Sequence, residues 1–235
     1  MGTAFGIVHG CLGQAFLVLV CVIALFTSRW WWERKQAQRT DMVILTEPLV
    51  ARLFLIATVL IFLQLMIGAT MRHQHAGLAI PDFPMAYGKI WPDASAEAVA
   101  RYNQQRVEIT VANAITPFQI WLQMVHRLMA VGILLGVVKV AWRARSLNAS
   151  PTLRRLAGAW LGLILIQVGL GAWTIWSHKA ADVATAHVLV GALSLVTGVF
   201  GCIISFPRFT GATEARGVSE SAGAYAPRTP VIANP

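Results

Sequence analysis

Charge is scarce in this chain of 235 residues: Asp and Glu number 10, Lys and Arg 19, and together they make 12% of the composition, where a water-soluble domain carries about 25%. That deficit excludes an ordinary soluble globule and a disordered polyelectrolyte. Cysteine is nearly as sparse. Cys11, Cys21 and Cys202 fall inside apolar stretches with no Cys-x-x-Cys, which argues against a disulfide scaffold or a thiolate zinc site and leaves three buried thiols as the expectation. Residues 1–8 contain no basic amino acid and no Arg-rich, Ser-rich leader is present, so no cleavable targeting segment is expected. The net charge of +9 would suggest nucleic acid as a partner for a soluble protein. Here the basic residues gather between apolar runs, so no nucleic-acid partner is expected.

What the chain has instead is length without charge. Residues 1–28, 53–71, 109–126, 156–178 and 183–207 carry no Asp, Glu, Lys or Arg, and each run approaches the ~20 residues a helix needs to cross the hydrocarbon core. The expected fold class is all-α: a polytopic membrane helical bundle of five transmembrane helices, at about 4–27, 50–71, 117–140, 155–176 and 183–206. Connections then alternate sides, with 13 basic residues on one side and 5 on the other. The positive-inside bias places the 13 in the cytoplasm and the amino terminus outside. The expected organisation is a first span at 1–28, a basic cytoplasmic loop at 29–52, a four-helix unit at 53–206 with an outer lid at 72–116, and a disordered tail at 207–235.

Self-comparison reveals a repeat. The second span ends Gln64-Leu65-Met66-Ile67-Gly68-Ala69 and the fourth ends Gln167-Val168-Gly169-Leu170-Gly171-Ala172. Each Q-x-x-x-G-A helix is followed by an outer loop and a helix with a histidine in its outer part, His126 in the third span and His187 in the fifth. The first span, with His9 near its outer end, reads as the second half of such a unit. Gly13, Ala130 and Gly191 stand four residues after His9, His126 and His187, and Ser194 and Gly198 continue the face of the fifth span. Small residues often serve close helix packing, as expected of Gly158 and Gly162. Below a histidine they would also leave room for a flat macrocycle.

At ~1.5 Å per residue, His126 and His187 lie roughly 6–15 Å in from the outer helix ends. An imidazole there needs a partner. That partner is either an interhelical hydrogen bond or a metal. Zinc, copper and di-iron sites want three or more converging ligands, and these spans carry no carboxylate and no second histidine three or four residues from any of the three. Haem brings four nitrogens and asks for one or two axial ligands. A bis-histidine haem iron between His126 and His187 is the economical solution, and it would move electrons without binding oxygen. His9 has no visible mate.

Arg127 is a charge within an apolar run. Its ordinary role is snorkelling or pairing with another helix, and its functional role is neutralising a haem propionate. Gln64, Gln123 and Gln167 read as interhelical hydrogen-bonders, and His73, His75 and His178 as outer-loop residues exposed to solvent. The run Arg72-His73-Gln74-His75-Ala76-Gly77-Leu78-Ala79-Ile80-Pro81-Asp82-Phe83-Pro84 is too apolar and too punctuated by Gly and Pro for an idle loop. It is expected to fold back and cap the outer helix ends, extended by Trp91-Pro92.

These residues resemble the haem A synthase family, which acts in cytochrome c oxidase assembly. The likeness lies in Gly68-Ala69 and Arg72, the 76–84 run with Gly88 and Trp91-Pro92, His126-Arg127, Gln167 to Trp176, and Ala186-His187-Val188 through Gly191-Ala192. His9-Gly10 to Gln14 and Leu25-Phe26-Thr27-Ser28-Arg29 are similar to that family's fourth span, so the match covers about residues 3–206. The resemblance implies eight spans in two four-helix halves, each with a histidine pair, and oxidation of a ring methyl of haem O to the formyl of haem A. It implies that His126 and His187 are axial ligands of a b-type haem, that Arg127 contacts this cofactor, and that His9 is a metal-ligating, catalytic residue of the substrate-handling half. Residues 1–28 then read as the remnant of that half, with three spans expected to be absent ahead of it. Implied partners are haem O and haem A, haem O synthase, oxidase assembly factors and further copies of the chain, all in the cell inner (plasma) membrane. The sequence departs from the family where the catalytic Glu stands three residues before a His-Arg pair, since Gln123 is here, and the outer-loop cysteine pairs of some members are missing. Two other readings compete. One is a non-enzymatic b-type membrane cytochrome, the other a haem-free membrane scaffold.

Overall fold

Peptide groups inside hydrocarbon have no water to bond, so each apolar run must close its hydrogen bonds within itself, as a helix does. The computed structural model describes residues 3–40, 48–105 and 114–206. Its elements are α1 (Thr3–Thr27), α2 (Arg29–Thr40), α3 (Pro48–His73), a 3-10 turn at Ala76–Leu78, α4 (Ala96–Gln105), α5 (Pro117–Ser146), α6 (Pro151–Trp176) and α7 (Ala181–Ser205). Among the described residues no strand forms, and five helices, α1, α3, α5, α6 and α7, are long and apolar enough to cross a membrane. The five-span, all-helical expectation therefore holds. The expected disordered tail, and residues 106–113 of the expected lid, lie outside the described residues.

Helix ends differ from expectation where charged residues can stay in the helix while reaching water. α5 continues to Ser146 through Arg143 and Arg145, as long basic side chains at a span's end permit. α6 begins at Pro151, where Ser150 caps Leu153 N and proline sits in the first turn. The segment expected to be a basic loop holds α2. Its Trp30 and Trp32 rings carry Arg34 and Lys35 above them at 5.4 and 5.3 Å, the amphipathic chemistry of a membrane-surface helix.

α3, α5, α6 and α7 close a ring in which α3 packs on α5, α5 on α6, α6 on α7 and α7 back on α3, while α1 leans on the outside against α3 and α7. Near the basic ends the ring is filled with apolar side chains, among them Phe54, Val137, Trp160 and Leu195. Phe54 and Trp160 stack with centroids 5.1 Å apart, and Trp160 Nε1 donates to Ser194 O at 2.8 Å. This packing uses the small residues of α7. A methyl at Gly198 would lie 2.8 Å from Trp160 Cζ2, one at Gly201 would overlap the Phe54 ring, and one at Gly191 would meet Leu65 Cδ2 at 3.0 Å and Gln167 Nε2 at 3.1 Å.

The α7 face expected to leave room for a macrocycle is thus occupied by side chains of α3 and α6. Gly13 faces open space. Gly158 and Gly162 depart from expectation too: the first receives the Arg145 guanidinium, with Nη2 3.2 Å from a methyl placed there, and the second has nothing within 4 Å. The three cysteines are free and half-buried, with Cys202 Sγ 3.6 Å from Thr58 Oγ1.

Gly201→Ala should displace the Phe54 ring and lower stability by about 1–3 kcal/mol. Unfolding in mixed micelles, followed by tryptophan fluorescence, measures this, and an unchanged midpoint would contradict the packing described.

Candidate functional site

The repeat becomes a contact in three dimensions. His126 on α5 lies against Gly68 of α3, where a methyl would be 3.6 Å from His126 Cε1. His187 on α7 lies against Gly171 of α6, where a methyl would be 3.2 Å from His187 Cε1. Each Q-x-x-x-G-A helix thereby seats a histidine ring on its glycine, closely enough at Gly171 that a methyl would make the ring give by a few tenths of an ångström, and at Gly68 with space for a methyl in ordinary contact. The glutamines accompany them. Gln64 Nε2 donates to His126 O at 2.9 Å, and Gln167 Nε2 lies 3.5 Å from His187 Nε2. Both are the interhelical contacts expected.

The polar atoms here are incompletely satisfied. Nδ1 of His126, Nδ1 of His187, Oε1 of Gln64 and Oε1 of Gln167 are buried without a hydrogen-bond partner among the described residues. Such groups ordinarily find partners, because leaving one unmade in an apolar interior costs about 1–3 kcal/mol. The His126 imidazole is also within electrostatic range of His187 and Arg127. Among the described residues no three His, Cys, Asp or Glu side chains converge into a metal cage.

Residues 74–105 fold back over the outer helix ends. Gln123, 2% exposed, accepts from Ile80 N at 2.7 Å and donates to Gly77 O and Ile80 O at 3.3 and 3.2 Å. It pins the loop, not a neighbouring helix as expected. Arg127 donates through Nη1 to Met85 O at 2.8 Å and through Nη2 to Asp82 O at 2.7 Å, with the Phe83 ring 5.5 Å beneath. This grip on the loop is neither of the ordinary roles expected of Arg127, pairing with a helix or snorkelling, and its buried Nε has no partner among the described residues. Asp82 accepts from Tyr87 N and Gly88 N, both at 2.8 Å, which holds the chain through positive φ at Tyr87 (55°) and Gly88 (71°). Tyr87 OH donates to Ala79 O, Trp176 Nε1 to Phe83 O at 3.3 Å, and Gln119 Nε2 to Gln74 O at 2.7 Å. Ile80 is completely buried, and Trp91 packs against Trp121 at 5.5 Å.

His9 is not brought together with His126 and His187. It lies on the exposed face of α1, stacked on Phe5 with centroids 6.4 Å apart. The α1 face that meets the ring carries Gly10, near Ala69, and Gly6, which receives the His73 ring. Sequence reasoning treated His73 as an outer-loop residue, yet it ends α3. The available signal was the Gly6-x-x-x-Gly10 spacing.

Comparison with known proteins bears on the same residues. The family model described as cytochrome oxidase assembly protein, COX15-CtaA, matches residues 7–199, which includes both seated histidines and the lid. The chain belongs to this family. Heme A synthase of Shewanella oneidensis is 31% identical over 152 residues, 62% of this chain and 41% of that protein. Heme A synthase of Rhizorhabdus wittichii is 26% identical over 193 residues, 75% of this chain and 55% of that protein. Heme A synthase COX15 of Arabidopsis thaliana is 35% identical over 75 residues, 32% of this chain and 16% of that protein. The chain thus spans about half or less of these relatives. No solved structure matches.

For this family member, Gln123→Leu would leave Ile80 N, Ile80 O and Gly77 O without their partner. Faster amide exchange across residues 77–87 is expected, with local stability lower by about 1–3 kcal/mol per orphaned group. Exchange rates equal to the parent protein's would show that Gln123 does not hold the lid.

Proposed function

We propose that this membrane protein holds haem b between His126 and His187 and takes part in oxidising a ring methyl of haem O to the formyl of haem A, for cytochrome c oxidase assembly. The observation that carries the reading is the pair of imidazoles, each seated on the glycine of a repeated Q-x-x-x-G-A motif and each with a buried, unpartnered nitrogen. Two neutral imidazoles without a carboxylate or thiolate beside them suit an iron that already has four porphyrin nitrogens. When bound, haem supplies one-electron redox chemistry within the membrane.

The protein's own side chains orient and enclose it. His126 and His187 would hold the iron through ring nitrogens, with their rings resting on Gly68 and Gly171. Gln167, 3.5 Å from His187 Nε2, positions that ring. Arg127 anchors the loop carbonyls with its terminal nitrogens and keeps Nε for a haem carboxylate. Gln123 and Trp176 hold the lid closed, which keeps water from the outer half of the ring. His9, on the exposed face of α1, is assigned to the substrate haem. The relatives' names support the reaction class. The proposed setting is the inner membrane, with the amino terminus and lid outside and the basic helix ends in the cytoplasm.

A second reading, a bis-histidine b-type cytochrome without catalysis, is favoured by the separation of His9 from the other two histidines. Haem O added to the purified protein distinguishes the two. Reversible redox spectra accompanied by a formyl-bearing product support the oxidase role, and reversible spectra without that product support the cytochrome.

His126→Ala and His187→Ala should each remove most of the b-haem absorbance of the purified protein, while His9→Ala should leave it. Haem content unchanged in both of the first two variants would overturn the assignment.

A further inference from the structure

The basic end of the bundle carries a feature that the haem reading does not use. Between the end of α5 and the start of α6 lies a cleft of about 600 Å³ lined by Arg145, Pro151, Arg154, Arg155, Gly158 and Ala159. Three guanidinium groups border it, and no carboxylate among the described residues pairs with any of them. Arg145 donates through Nη1 to Ala141 O at 3.0 Å, and its Nη2 lies over the bare backbone of Gly158. Arg154 and Arg155 are the fourth and fifth residues of α6, where the positive end of the helix dipole adds to their field.

We propose that this cleft binds the phosphate-bearing headgroup of an anionic membrane lipid. The shared chemistry of any occupant is a phosphate anion, which planar guanidinium groups recognise through paired N–H donors. A lipid is the source favoured over free phosphate because the cleft is polar at one end only. Beyond the arginines its wall is Gly158 and Ala159, and the same helix continues into the exposed apolar residues Leu165 and Ile166. Trp142, 58% exposed with Arg143 4.7 Å over its ring, sits on the neighbouring helix as interfacial tryptophans do. A headgroup held by the arginines would leave its acyl chains along this apolar wall. Basic pockets between membrane helices are established recognition sites for such headgroups.

The test uses the full chain in nanodiscs of phosphatidylcholine doped with phosphatidylglycerol, with retained lipid read by native mass spectrometry after detergent extraction. The parent protein should retain phosphatidylglycerol over phosphatidylcholine. The double variant Arg154→Gln/Arg155→Gln should lose that retention by about tenfold or more, and Arg154→Lys/Arg155→Lys should keep part of it. Gly158→Leu, which fills the cleft without changing charge, should also reduce it. Tryptophan-monitored unfolding identifies variants that fail to fold, and Gly158→Leu then serves as the deciding variant. Equal retention of the two lipids by the parent, or retention unchanged in the Gln and Leu variants, would overturn the site. Displacement of the bound lipid by equimolar inorganic phosphate would overturn the lipid assignment.

Discussion

Polar groups carried into the outer half of a membrane helix ring must be satisfied by one another, because hydrocarbon offers them nothing. That constraint organises the molecule around α5. Within five positions of that helix, Gln123, His126 and Arg127 each turn to a different neighbour: the lid backbone at Ile80, the glycine of α3 and the lid carbonyls of Asp82 and Met85. The lid is therefore built from α5 outward, and its buried Ile80 has little freedom to leave. Several of the atoms that stay unsatisfied, the Nδ1 atoms of two imidazoles, Nε of Arg127 and the Oε1 atoms of Gln64 and Gln167, belong to the histidine seats and the lid grip.

The two repeat units share the histidine seat and differ in what covers it. Between α6 and α7 the connection is short and passes through positive φ at His178 and Lys179, whereas the connection between α3 and α5 is long enough to contain α4. Trp176 closes the difference by donating across to Phe83 O, so the lid of one unit is also fastened by the other.

Much of this was legible in the sequence, because hydropathy and motif spacing are local. The five charge-free runs became five helices, and the Q-x-x-x-G-A repeat located both histidine seats. The roles of individual side chains were less legible. Gln123 and Arg127 looked like groups seeking helices or cofactor, since nothing in a linear pattern places Ile80 and Met85 beside them. The small residues of α7 looked like a groove, but Trp160 and Phe54 lie far from them in sequence and arrive only through the α6 and α3 packing. α2 was read as loop because its charges mask a surface helix. His9 had a histidine's chemistry and no positional information beyond its helix, and it lies on the exposed face.

The stacked pair Phe54 and Trp160 has a consequence beyond rigidity. Both rings are fully buried in the interior of the ring, and the indole N–H between them and α7 is already engaged by Ser194 O. Two stacked rings whose one polar hydrogen is already bonded offer water no partner at this level, so the layer is a dry plug between the basic helix ends and the two histidine seats.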